Sequence, residues 1–147
     1  MVLRKILVPV DFSGHSHRAL EYAMGLARVS KAKLLLVHAY IDIPTLMRDQ
    51  GKTKLFQWVT VARDAGIEAD GSLARSGPAE AIEKEATMAE ADLIVMGTHG
   101  YSGLKHAVLG SVAEHVIKVA PCPVVVVRAD HEPREALDTG GRALSQG

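Results

Sequence analysis

Short continuous apolar runs alternate along this chain with longer stretches in which apolar positions recur every three or four residues. Residues 5–10, ending Ile6-Leu7-Val8-Pro9-Val10, read as a buried strand. Residues 16–30 read as a helix with Leu20, Ala23, Met24 and Ala27 on one face. Residues 33–39 form a second strand, carrying Leu34-Leu35-Leu36-Val37. Residues 55–65 are helical, with Leu55, Val59 and Ala62 on one face and Gly66 as the stop. The start of that helix is not fixed by the pattern, because Pro44 and Gly51 interrupt the approach.

Residues 67–73 alternate Ile67, Ala69, Gly71 and Leu73, the pattern of a one-sided strand near a sheet edge. Gly77-Pro78 opens a third helix with Pro78 at its first position and Ile82, Ala86 and Ala89 on its inner face. Residues 92–96 are a fourth strand, 111–120 a fourth helix and 123–128 a fifth strand of consecutive valines. The order βαβαβαβαβ, with strands apolar throughout, predicts an α/β fold: a parallel sheet covered by helices on both faces, with right-handed crossovers. A ligand is then expected at the carboxyl ends of the strands, where the winding reverses. Residues 1–130 read as one domain and 131–147 as a mobile polar tail.

Composition narrows the function. Lys+Arg and Asp+Glu are both 17, so the net charge is zero, which argues against a nucleic-acid or anionic-membrane partner. Aromatics are 4%, so the core is aliphatic. The one cysteine, Cys122, allows no internal disulfide, and no apolar run reaches the length of a membrane span. A cytoplasmic protein is the default expectation.

The candidate chemistry lies after the fourth strand. Met96-Gly97-Thr98-His99-Gly100 is followed by nine residues and then Gly110-Ser111. A glycine-rich loop between a strand and a helix brings backbone N–H groups near a ligand, and the helix start adds partial positive charge, which suits a phosphate. Glycines also punctuate tight turns without any ligand, but the full spacing favours the phosphate site. Ser111-x-x-Glu114 reads as a capping box, and the same hydroxyl suits a phosphate. Asp11, directly after the first strand, serves either as a turn residue or as an acceptor for ribose hydroxyls or loop N–H groups. Lys105 is either a phosphate partner or a solvated lysine. None of the seven histidines has zinc-site spacing, so no metal ligands are assigned; His15, His17, His106 and His115 read as solvated. The P-loop, the dinucleotide fingerprint and the nucleophile elbow are all absent from the sequence, and no acid–base pair commits the chain to catalysis.

The segment from Arg4 to Arg128 resembles a universal stress protein. The resemblance rests on Lys5-Ile6-Leu7-Val8-Pro9-Val10-Asp11-Phe12-Ser13, on Leu35-Leu36-Val37-His38-Ala39, on the Gly-x2-Gly-x9-Gly-Ser spacing and on Pro121-Cys122-Pro123 before the valines. It implies a flavodoxin-like, Rossmann-like sheet of strand order 3-2-1-4-5. It also implies a homodimer through antiparallel pairing of the fifth strands, Val124 to Val127. Members with the complete glycine signature bind ATP, so the resemblance implies ATP (or AMP or ADP) as ligand, with or without Mg2+. By position, Pro9, Val10 and Asp11 fall beside the adenosine and the Ala39 backbone at the adenine edge. Met96, Gly97, His99 and Gly100 fall at the ribose and phosphates, and Gly110, Ser111 and Val112 at the phosphate tail. Two departures stand out: the segment 40–66 is shorter than in many relatives, and Ser76 stands where the family often has glycine. The expected function is stress response through nucleotide binding and signalling to unidentified protein partners. The alternatives are a slow ATP hydrolase and a dimeric interaction module that uses no nucleotide.

Overall fold

A computed structural model of the chain describes residues 2–99 and 109–128. Nine elements follow in order: β1 Lys5–Pro9, α1 Gly14–Ser30, β2 Lys33–Tyr40, α2 Thr45–Asp64, β3 Ala69–Arg75, α3 Pro78–Ala89, β4 Leu93–Gly97, α4 Ser111–Val119 and β5 Val124–Val127. All strand pairs are parallel and the order is β3-β2-β1-β4-β5, the flavodoxin-like topology expected. Gly100, Lys105, His106 and the tail 131–147 lie outside the described residues.

The pleat sends alternate side chains to opposite faces, and each face has its own core. Ile6, Val8, Leu34, Leu36 and Val95 pack under α1 and α2 with Leu20, Leu55 and Val59. Leu7, Val37, Ile94 and Met96 pack under α3 and α4 with Ile82 and Val116. The N-terminal ends of β1 and β4 are joined by Asp92, whose Oδ2 accepts the amides of Arg4 at 2.8 Å and Lys5 at 3.0 Å.

Most boundaries fall within two residues of the sequence pattern, and the differences that bear on the site have local reasons. Helix α2 begins at Thr45, ten residues before the apolar periodicity, because Pro44 occupies the N-cap and Gly51 stays inside the helix. Gly51 is buried there against the His38 ring: an added Cβ would lie 3.0 Å from Nε2. Ile67 belongs to the helix end rather than to β3; its N–H reaches back to the Ala62 carbonyl while Gly66 takes φ +83°. Strand β3 starts at Ala69 and continues to Arg75 because it pairs with β2 as far as Tyr40. The N-cap of α4 is Gly110, not Ser111. The capping box is therefore out of frame by one residue: Glu114 N–H bonds the Gly110 carbonyl at 3.0 Å, and no side chain caps this helix. On α3, Pro78 does take the first position, and Ile82 and Ala86 are buried while Ala89 is half-buried.

Candidate functional site

Strand β1 leads to β2 on one side, while β4 adds on the other, so the chain leaves the sheet in opposite directions between β1 and β4. At their carboxyl ends lies a cavity of about 470 Å³, within the size range of small-molecule sites. Pro9, Val10, Val37, Ala39, Ile82 and Met96 form its apolar part; Asp11, Ser16, Thr98, His99 and the start of α4 form its polar part. Ten of the residues picked out in the sequence meet here: Pro9, Val10, Asp11, Ala39, Met96, Gly97, His99, Gly110, Ser111 and Val112. The eleventh, Gly100, is outside the described residues.

A ring of local hydrogen bonds shapes the turn from β1 to α1. Ser13 N–H donates to Asp11 Oδ1 at 3.0 Å, Asp11 N–H to Ser16 Oγ at 3.3 Å, and Ser16 Oγ–H to the Ser13 carbonyl at 3.2 Å. Ser13 Oγ caps α1 by accepting Ser16 N–H at 3.2 Å. Both serines are buried. Phe12 is held at φ +68°, a left-handed conformation that costs a side-chain-bearing residue about 1–2 kcal/mol. Its ring is pinned between His38, at 4.6 Å, and Trp58, at 5.3 Å between centroids. The turn thus fixes Asp11 at the cavity wall between a serine network and an aromatic cluster.

The glycines act by close approach. A Cβ on Gly97 would lie 2.8 Å from the His15 Cβ and carbonyl oxygen, so the residue lets the first turn of α1 press onto the end of β4. This packing demand is separate from the phosphate role expected from the sequence. Gly110 lies against the other end of the loop: a Cβ there would stand 3.1 Å from the Thr98 carbonyl oxygen. Its own N–H donates to that oxygen at 2.7 Å.

The polar end of the cavity has donors to spare. With Gly110 as N-cap and no capping side chain, the N–H groups of Ser111, Val112 and Ala113 have no intrahelical partner, and all three residues line the cavity. His99 Nδ1 lies 3.1 Å from Thr98 Oγ1, while its Nε2 is buried without a hydrogen-bond partner. His15 Nδ1 is buried and unpartnered too, with its ring 5.5 Å from that of His99, so His15 is not the solvated residue expected from its helical position. His17 and His115 are exposed. Among the described lining residues there is no lysine or arginine; a bound anion would meet helix-terminal N–H groups and the partial charge of α4. Cys122, two residues before β5, packs against the core under α3 and α4, and burial holds its thiol above the ordinary value.

The sequence reading omitted Ser16, Val37, Pro78, Ile82, Thr98, Leu109, Ala113 and Glu114 from this cavity. Ser16 and Thr98 had a usable signal: Ser16 stands in the first turn of α1, five residues after Asp11, and Thr98 directly follows Gly97. Ile82 had none, since a core-facing helical position looks alike whether or not a cavity lies beyond it.

The family model of the universal stress protein family matches residues 3–128. The chain belongs to the universal stress protein family. A universal stress protein of Thermus aquaticus is 36% identical over 137 residues, covering 86% of this chain and all of its own. Among solved structures, the universal stress protein of Archaeoglobus fulgidus in complex with dAMP has a TM-score of 0.71 at 27% identity, covering 86% of this chain and 98% of that one. A universal stress protein in complex with cAMP has a TM-score of 0.68 at 25% identity, covering 88% and 99%. Within this universal stress protein, no helix among the described residues is long and apolar enough to cross a membrane.

Proposed function

We propose that this universal stress protein binds an adenine nucleotide, ATP or its hydrolysed forms AMP and ADP, in the cavity between β1 and β4. In this reading it acts in stress response by reporting nucleotide occupancy to partners. The observation that carries the reading is the pairing of an apolar recess with an uncapped helix start in one cavity. Val10, Val37, Ala39, Ile82 and Met96 suit a base, and the N–H groups of Ser111, Val112 and Ala113 suit phosphate oxygens. The buried, unpartnered Nε2 of His99 supports it further, since an orphaned nitrogen at a cavity wall is a donor or acceptor in waiting. The nucleotides held by the two solved relatives are of the same class.

In the proposed pose, Pro9, Val10, Asp11 and Ala39 surround the adenosine, Met96, Gly97, His99 and Gly100 the ribose and phosphates, and Gly110, Ser111 and Val112 the phosphate tail. Mg2+ would arrive on the phosphates, with Asp11 and Glu114 the carboxylates in the wall. Occupancy becomes a signal only if the nucleotide binds two conformations unequally, and the glycine loop is the element it would bias.

The proposal includes a homodimer through β5. What supports it is an edge strand of four half-buried valines whose outer side pairs with no strand of the described chain. Calorimetric titration with ATP and AMP tests the nucleotide reading: saturable heat supports it, and heat equal to dilution contradicts it.

A further inference from the structure

A second cavity of about 400 Å³ opens at the same end of the molecule. It meets the first at Ala39 and Pro78, but its main walls stand on the other face of the sheet. Val37 packs in the core under α3 and α4, so Ala39 shares that side; Leu36 packs under α1 and α2, so His38 and Tyr40 face the opposite way. Phe12, His38 and Tyr40 give the second cavity its rings, and Met47, Gln50 and Lys54 on α2 close it.

This chain has few aromatic residues, 4% of its length, yet its one Trp and one of its two Phe gather beside this cavity. Phe12 is locked there in a strained conformation by His38 and Trp58. His38 is held on two sides: Nδ1 bonds the Val10 carbonyl at 2.9 Å, and its other ring edge abuts Gly51. Phe12 and His38 thus brace one another in the cavity wall. Lys54 is the one lysine or arginine among the described lining residues. Its Nζ stands 5.9 Å from the centre of the Phe12 ring, and it enters none of the ion pairs of the described residues.

We propose that this second cavity binds a small aromatic organic anion, its ring against Phe12, His38 and Tyr40 and its carboxylate or sulfonate on Lys54 Nζ. A flat apolar body matches the rings and Ile41, Ile43 and Met47, and a single negative charge matches a single ammonium. Val10 and Asp11 lie in the wall of the first cavity and Phe12 in that of the second, so an occupant here presses on the turn that fixes Asp11.

The test is a fluorescence titration of the full chain, without nucleotide, with anilinonaphthalene sulfonate, itself an aromatic anion. Saturable binding of one probe per chain is expected, with quenching of Trp58 by energy transfer. Lys54→Met, at an exposed position, should weaken binding about tenfold or more, the loss of one charge-assisted contact. Gln50→Tyr, also exposed, should block the cavity and abolish the signal. Gly110→Val should leave it unchanged, which separates this site from the nucleotide cavity whatever the fate of that reading. Emission that rises without saturating, or equal affinity in the wild type and in folded Lys54→Met, overturns the proposal.

Discussion

The amide of Gly110 donates to the carbonyl oxygen of Thr98 at 2.7 Å, tying the end of the glycine loop to its beginning. Thr98 is buried and its own N–H bonds the Val127 carbonyl at 3.2 Å, so this closing contact is anchored on the sheet. Gly97, one residue earlier, is instead jammed against His15. The two glycines should thus fail differently. Gly97→Ala is expected to cost about 1–3 kcal/mol of stability through overpacking against backbone, read in a urea melt. Gly110→Ala should cost less, since φ is −76° and its nearest neighbour stands at 3.1 Å. Equal losses would contradict this division of roles.

Gly51 inverts a general rule. In a helix interior Gly→Ala ordinarily gains about 0.5–1 kcal/mol. Here the new Cβ would meet His38 Nε2 at 3.0 Å, and the ring cannot withdraw because Val10 holds its Nδ1 and Phe12 covers its face. Gly51→Ala should therefore destabilise, and in the His38→Ala background the same change should stabilise. A double-mutant cycle of denaturation free energies reads the sign in each background.

Asp70 links β3 to β2 and to the end of α2. The hydrogen bond from Lys33 Nζ, at 2.7 Å, is the main cause holding its carboxyl below the ordinary value of 3.8; partial desolvation opposes it, and Arg63, at 2.8 Å, adds to it. A carboxylate with a lowered folded value stabilises at neutral pH and loses that contribution as pH falls through the folded value. Lys33 is raised above 10.5 by the same pair, so its share is present below that value and lost as pH rises beyond it. Thermal midpoints of the wild type should fall more steeply than those of Asp70→Asn below about pH 4. Parallel acid slopes would contradict the linkage.

The β5 dimer makes a separate prediction. The carbonyls of Pro123 and Val127 point to β4, accepting from Ile94 and Thr98, so the alternating Val124 and Val126 amides face the open edge. A proline is tolerated where the N–H faces outward from an edge strand. Val126→Pro should keep the fold by circular dichroism and yield a monomer in sedimentation, while the wild type sediments as a dimer. A dimeric Val126→Pro would place any interface elsewhere.

The element order was legible because every strand but β3 is apolar on both faces and every helix, apart from the first half of α2, keeps its period, and these patterns answer to the same burial that builds the sheet. The sheet order was legible only through the family resemblance. The first half of α2 was hidden, since Pro44 and Gly51 are breakers by type and only the packing of Gly51 on His38 shows why the helix passes through. The capping box at Ser111 misled by one residue because glycine caps a helix with no side-chain signal. The loop residues of the cavity were readable from spacing. The aromatic cluster of Phe12, His38 and Trp58 was not, because its members come from three elements whose approach no local pattern encodes.

The most direct test of the nucleotide reading is a calorimetric titration of the purified chain with Mg-ATP, run beside folded Gly110→Val. Binding near one nucleotide per chain that is lost in the variant is the predicted result, because the added side chain would crowd Thr98 and His99 at the loop's closure. No heat with either protein, or equal affinity in both, would contradict it.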